Sequence, residues 1–304
     1  MDSVLRFAWL QGGILSLAIS STLLAVPSQA QNITPAGDGT GTTVQYNAAS
    51  QTYTINGGTQ IDANLFHSFQ QFGLSTGEIA NFLANPNVAN VLARVTGGQT
   101  SVINGLLQVS GGNNANLIIL NPAGVLLGRN ANLNLSGSFS VSTASGLSFE
   151  NEVFNATGSN DYSALTGNPT GYVFLGNEGV LLNEANLAVN PGQGITLAGN
   201  TVINTGSLTA PEGSVSIVAL PEEGILRISQ SGLILSLAVP TDSLNGLVES
   251  GITPLDLPGL LAGEWGGNAN TVRTLPDGTV VLSAGDRPVN TDSGAVTSAG
   301  IVDV

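Results

Sequence analysis

Residues 180–187 read VLLNEANL and residues 201–208 read TVINTGSL. At an offset of 21, Val180-Leu181-Leu182-Asn183 falls on Thr201-Val202-Ile203-Asn204 and Leu187 falls on Leu208. A second pair, Gly194-Ile195-Thr196-Leu197-Ala198 and Ser214-Val215-Ser216-Ile217-Val218, repeats at an offset of 20. Within each pair apolar residues alternate with small polar ones, as in a strand with one buried face. One such unit cannot cover its own apolar face, whereas stacked copies bury a continuous interior. A period of this size therefore predicts the coils of a β-helix. Asn183 and Asn204 hold equivalent places, where their amides are expected to stack at turns.

The rest of the chain has the composition of tightly turned β structure. Charged residues make up 9%, against roughly 25% in ordinary soluble domains, and the chain has 40 glycines and no lysine. An exposed helical surface relies on Lys, Glu and Arg, so abundant helix is excluded. Thr43–Tyr46 and Thr52–Ile55 alternate as strands around Asn47-Ala48-Ala49-Ser50, which predicts a hairpin. Leu65–Phe72 carries phenylalanines at 66, 69 and 72, a spacing that fits a helical turn or a bent segment with its aromatics packed inward. Residues 240–275 are broken by Pro240, Pro254 and Pro258 and read as an irregular excursion. Thr279–Ser283 and Gly294–Val304 return to alternation.

Twenty acids against six arginines give a net charge of −14. Such a chain repels nucleic acid and anionic headgroups. The absence of cysteine excludes disulfides and thiolate chemistry. At the N-terminus, an apolar run densest from Ile14 to Val26 is followed by Pro27 and Ser28-Gln29-Ala30. This pattern predicts a signal peptide over residues 1–30, cut between Ala30 and Gln31.

Few residues suggest chemistry. His67 is the only histidine; with no cysteine beside it, it cannot build an ordinary zinc site, and a packed or capping imidazole is expected. Asp38-Gly39 is a turn signal without the spacing of a calcium loop. Glu150 and Glu152 would share one face of a strand, while Glu222 and Glu223 would point oppositely. A carbohydrate-active β-helix would need two carboxylates in one cleft; it is the alternative function to weigh. No cofactor motif is present. Arg94 and Arg129, the only basic residues between Gln31 and Arg227, are candidate partner contacts, with local ion pairing as the default.

Three stretches carry a family resemblance: LFHSFQQFGLSTGEIANF at 65–82, NPNVANVLARVTGGQTSVINGLLQVSGG at 85–112 and NANLIILNPAGVLLGRNANLNLSGSFSVSTA at 114–144. Together they resemble the N-terminal domain of the filamentous haemagglutinin family, the secretion domain of two-partner exoproteins. The family's Asn-Pro-Asn-Gly-Ile-type turn reads here Asn121-Pro122-Ala123-Gly124-Val125, with alanine at the third position. The resemblance implies an all-β, right-handed parallel β-helix with an N-terminal cap and extra-helical strands. It further implies export through the periplasm and recognition by an outer-membrane β-barrel transporter with periplasmic docking domains. The product would be an adhesin-like, non-enzymatic protein, secreted or held at the cell surface, with glycans as candidate ligands. The secretion domain is expected over 31–240, with the excursion and further solenoid strands over 241–304.

Overall fold

The structure is a computed structural model that describes residues 32–220, 223–227 and 301–304, and strand backbone at 236–238, 271–274, 280–284, 287–288 and 296–298. The predicted signal peptide and its predicted cleavage site at Ala30 and Gln31 lie outside the described residues, as do residues 239–270.

The chain winds as a parallel β-helix. One turn runs from Asn90–Val95 on a long sheet, through Ser101–Ile103 on a second face, to Leu106–Ser110 on a third, and returns to the long sheet at Asn116–Leu120. Successive long-sheet strands pair in parallel register: Asn64 with Asn90, Asn90 with Asn116, Leu117 with Phe139, Phe139 with Ile195, and Ile195 with Val215. The 21- and 20-residue repeats are two of these registers: Leu181 pairs with Val202, and Gly194 with Ser214. Leu65, Val91, Leu117, Phe139, Ile195 and others from all three faces fill the interior. The predicted hairpin forms between Thr42–Asn47 and Thr52–Gly57 and begins the third face.

The helical alternative for Leu65–Phe72 is overturned: Asn64–Phe72 is one nine-residue strand. Its Phe66 points away from the interior into a second cluster, while Phe69 joins the interior. Strict alternation would then turn Phe72 outward. The register instead slips between Thr34–Gln71 and Pro35–Phe69, and this bulge returns Phe72 to the interior, 5.1 Å from Phe69.

The chain leaves the helix twice after a long-sheet strand and before the second face. The first excursion supplies Gly146–Ser148, Val153–Asn155 and Gly171–Leu175, and the second supplies Glu223–Arg227 and Ser236–Ala238. All five strands join one antiparallel outer sheet. Phe149, Phe154, Leu165, Tyr172, Phe174 and Leu226 of the excursions pack on Phe66, Leu92, Ile118 and Leu120. The long sheet is thus buried on both faces. After the second excursion Val296–Ser298 pairs with Thr201–Asn204, and Val302–Asp303 with Leu208–Thr209, so the late strands rejoin the solenoid. Glu150 and Glu152 sit exposed in the turn between two excursion strands rather than on a strand face, which corrects the strand reading. Glu222 lies outside the described residues.

Candidate functional site

The turn after Asn116–Leu120 is held from both sides. Asn121 is fully buried. Its side-chain oxygen accepts from Ala123 N at 3.0 Å, while its Nδ2 donates to Gln99 O at 2.8 Å and Ser101 Oγ at 2.9 Å. Gly124 N donates to Asn121 O at 3.0 Å, closing the turn, and Gly179 N donates to Pro122 O at 2.7 Å. The turn therefore grips the coil before it and the coil after it. Gly124 has φ +114, and a Cβ there would lie 3.1 Å from Val180 O; glycine answers both demands. Ala123 contributes its backbone N–H and its carbonyl, which accepts from Thr100 Oγ1 at 3.0 Å. An asparagine side chain at the third position is not needed to close this turn.

Beside the turn, Val102, Leu126, Leu182 and Ile203 align across the second face with their side chains partly exposed. Val180, at the start of the second-face strand Val180–Asn183, is 48% exposed, and Leu175, at the end of the outer-sheet strand Gly171–Leu175, is 57% exposed.

On the opposite side of the long sheet from the interior lies a polar centre around Arg94, which also takes in Asp38, just ahead of the hairpin. The guanidinium is 1% exposed. Its Nη2 meets Asp38 Oδ2 at 2.7 Å, its Nε donates to Ser68 Oγ at 3.0 Å, and its Nη1 donates to the carbonyls of Asn155 and Gly158 at 2.7 and 2.9 Å. Phe154 covers it, with the ring centroid 5.7 Å from Cζ. Burial opposes ionisation of Asp38, but hydrogen bonds from Ser68, Thr40 and Arg94 outweigh it and hold the carboxyl at about 2. Nearby, Asn64, Asn90 and Asn116 form a ladder in which each Nδ2 donates to the preceding Oδ1 at 2.9 Å. Asn64 completes it by donating to Gly167 O at 2.6 Å.

His67 is buried in the interior beneath the hairpin, 5.7 Å from the Phe82 ring. Its Nδ1 faces Thr42 Oγ1 at 3.3 Å, and its Nε2 has no partner. Burial pushes its pKa down to about 4, so the imidazole is neutral at pH 7. A surface hollow of about 560 Å³ is lined by Ser148, Glu150, Asn168, Thr170 and Arg227 among others, and Glu150 is the only carboxylate in its lining. It does not hold the carboxylate pair that glycoside hydrolysis requires.

The TPS secretion domain family matches residues 31–249. This chain belongs to the TPS secretion domain family. The secretion domain of filamentous hemagglutinin has the same fold, with a TM-score of 0.50 and 18% identity over 69% of each chain. The HMW1 secretion domain from Haemophilus influenzae is 19% identical with a TM-score of 0.48. That comparison covers 69% of this chain and 48% of the other, so this chain spans about half the length of that structure. No curated protein matches the sequence.

Within this TPS secretion domain the sequence-predicted residues separate into two kinds. Asn121, Pro122, Gly124 and Val125 come together as a coil-closing turn. Arg94 and Arg129 do not come together. Arg94 is walled in, so its guanidinium offers no surface to a partner in the folded domain. Arg129 is 83% exposed, with Glu184 at 3.7 Å as its only ion-pair partner among the described residues. The Asn64–Asn90–Asn116 ladder was missed, although the repeats Ala63-Asn64-Leu65, Ala89-Asn90-Val91 and Ala115-Asn116-Leu117 carried the signal.

Proposed function

We propose that this chain is a two-partner-secretion exoprotein. Residues 1–30 direct it to the periplasm, cleavage between Ala30 and Gln31 frees it, and an outer-membrane β-barrel transporter with periplasmic docking domains carries it to the surface or the medium. One observation carries this reading: the family match begins at Gln31, the residue after the predicted cut, and runs through the turn at Asn121–Val125. The turn acts on export by closing the coil. Direct contact with the transporter falls to groups that stay outside, namely Arg129, Leu175 and Val180. The protein is non-enzymatic, binds no cofactor, and its haemagglutinin-like architecture suits adhesion to surface glycans.

The test is expression of the full chain with and without a transporter encoded beside it. Mature protein should reach the medium only when the transporter is present. Equal release without any transporter overturns the proposal. Binding of the purified mature chain to a glycan array tests the adhesive half separately.

A further inference from the structure

Three dipeptides of the chain are Asn-Gly: Asn56-Gly57, Asn104-Gly105 and Asn245-Gly246, the last outside the described residues. The two described pairs are built differently. Asn104 is clamped between coils: its Nδ2 donates to Thr76 Oγ1 at 2.7 Å and its Oδ1 accepts from Asn130 N at 3.0 Å. Its successor Gly105 is buried under the coil before it, where a Cβ would lie 2.3 Å from Glu78 O.

Asn56 and Gly57 are both exposed, at the open end of the hairpin. The one hydrogen bond described for the Asn56 side chain is to the next residue: Gly57 N donates to Asn56 Oδ1 at 2.7 Å. That contact lays the Gly57 nitrogen against the amide group of Asn56. Gly57 has φ +70, and a Cβ on it would lie 2.2 Å from Gly41 O. Closure of the hairpin end thus demands glycine at 57, and this leaves Asn56 followed by the least hindered backbone nitrogen the chain can offer.

We propose that Asn56 is a site of spontaneous modification through a cyclic imide. The Gly57 nitrogen gives its proton to hydroxide and bonds to Asn56 Cγ. The side-chain nitrogen takes a proton from water and leaves as ammonia. Water then opens the five-membered ring at one of its two carbonyls, giving aspartate or isoaspartate at 56. Holding nucleophile and electrophile together lowers the barrier as in any intramolecular reaction, and no oxidant or cofactor enters. Either product adds a negative charge to a chain already at −14. Isoaspartate also inserts a methylene into the main chain opposite Thr43, the pairing partner of Asn56. The next residue but one, Gly58, packs its backbone against the His67 ring, so the insertion strains the cap.

The experiment is ageing of the purified mature protein at mildly alkaline pH, followed by peptide mapping with fragmentation that separates aspartate from isoaspartate. In the folded protein the Asn56 peptide should convert at least ~tenfold faster than the Asn104 peptide, a difference of about 1.4 kcal/mol in barrier. In denaturant the two should convert at similar rates, and Asn56→Gln should abolish conversion at 56 while leaving Asn104 unchanged. Conversion of Asn104 as fast as Asn56 in the folded protein overturns the inference. So does an Asn56 that stays an amide when folded while it converts in the denatured chain.

Discussion

Arg94 and Asp38 meet at 2.7 Å with the guanidinium almost wholly enclosed and the carboxylate a quarter exposed. Asp38 precedes the hairpin, Arg94 belongs to the long-sheet strand Asn90–Val95, and the two carbonyls that Arg94 also holds belong to the first excursion. One side chain thereby fastens the N-terminal cap, the helix and the outer sheet. Removing one partner of a buried pair leaves the rest uncompensated. Arg94→Leu should lower unfolding free energy by about 3–5 kcal/mol, measured by urea denaturation. Arg94→Lys should recover only part, because a single ammonium cannot reach Ser68, Asp38 and both carbonyls. A loss below about 0.5 kcal/mol, the range of an ordinary surface change, contradicts the fastening role.

His67 gives the fold an acid-sensitive point. Its folded pKa of about 4 lies below the ordinary 6.5, so the folded state resists a proton that the unfolded chain accepts. The stability from keeping the ring neutral is complete above pH 6.5, falls between 6.5 and 4, and is gone below 4. The full change is about 3 kcal/mol. His67→Leu should flatten that segment of the pH–stability curve, and an unchanged slope between the two values would point to another titrating group.

The turn can be tested by two substitutions of opposite expectation. Gly124→Val forces a β-branched residue to φ +114 and presses it on Val180 O, at a cost of about 1–3 kcal/mol. Thermal stability and medium yield should fall together. Ala123→Asn restores the family's usual residue at a partly exposed position whose backbone already makes its bonds, and should leave both unchanged. Full stability with lost secretion in Gly124→Val would make the turn itself the recognition element.

Arg129 allows contact to be separated from folding. Its exposed 3.7 Å pairing with Glu184 is worth about 0–1 kcal/mol. Arg129→Glu should therefore melt like the parent yet reach the medium in lower yield. An unchanged yield removes Arg129 from the contact surface.

The sequence displayed the solenoid most clearly where coils are shortest. Between Val180 and Ala219 consecutive coils follow without interruption, so Asn183 and Asn204 align by eye and do bond, Nδ2 to Oδ1, at 2.7 Å. The earlier coils carry the same logic at a longer spacing, Asn64 to Asn90 to Asn116, but their turns and inward residues vary more than the Ala-Asn pair that recurs. Between Phe139 and Ile195 the first excursion intervenes, and the register across it could not be read from periodicity. The Arg94 centre was legible only as its parts. Asp38 read as a turn signal and Arg94 as a lone cation, since nothing local in a chain announces that residues 56 apart will meet. Phe66 was legible only in part for a related reason: the aromatics at 69 and 72 pack inward as the bent-segment reading expects, but Phe66 faces the excursions, whose packing on the long sheet periodicity does not show.

The burial of the long sheet on both sides has a consequence for how this domain can vary. On the third face, inward Ile55, Phe82 and Leu107 alternate with outward Thr54, Asn81 and Gln108, so every second position should accept many replacements. On the Asn116–Leu120 strand of the long sheet both faces are engaged: Leu117 and Ile119 face the interior while Ile118 and Leu120 meet the outer sheet. A saturation library scored for folded protein should read as an every-other-residue comb along the third face and as an unbroken intolerant block along Asn116–Leu120.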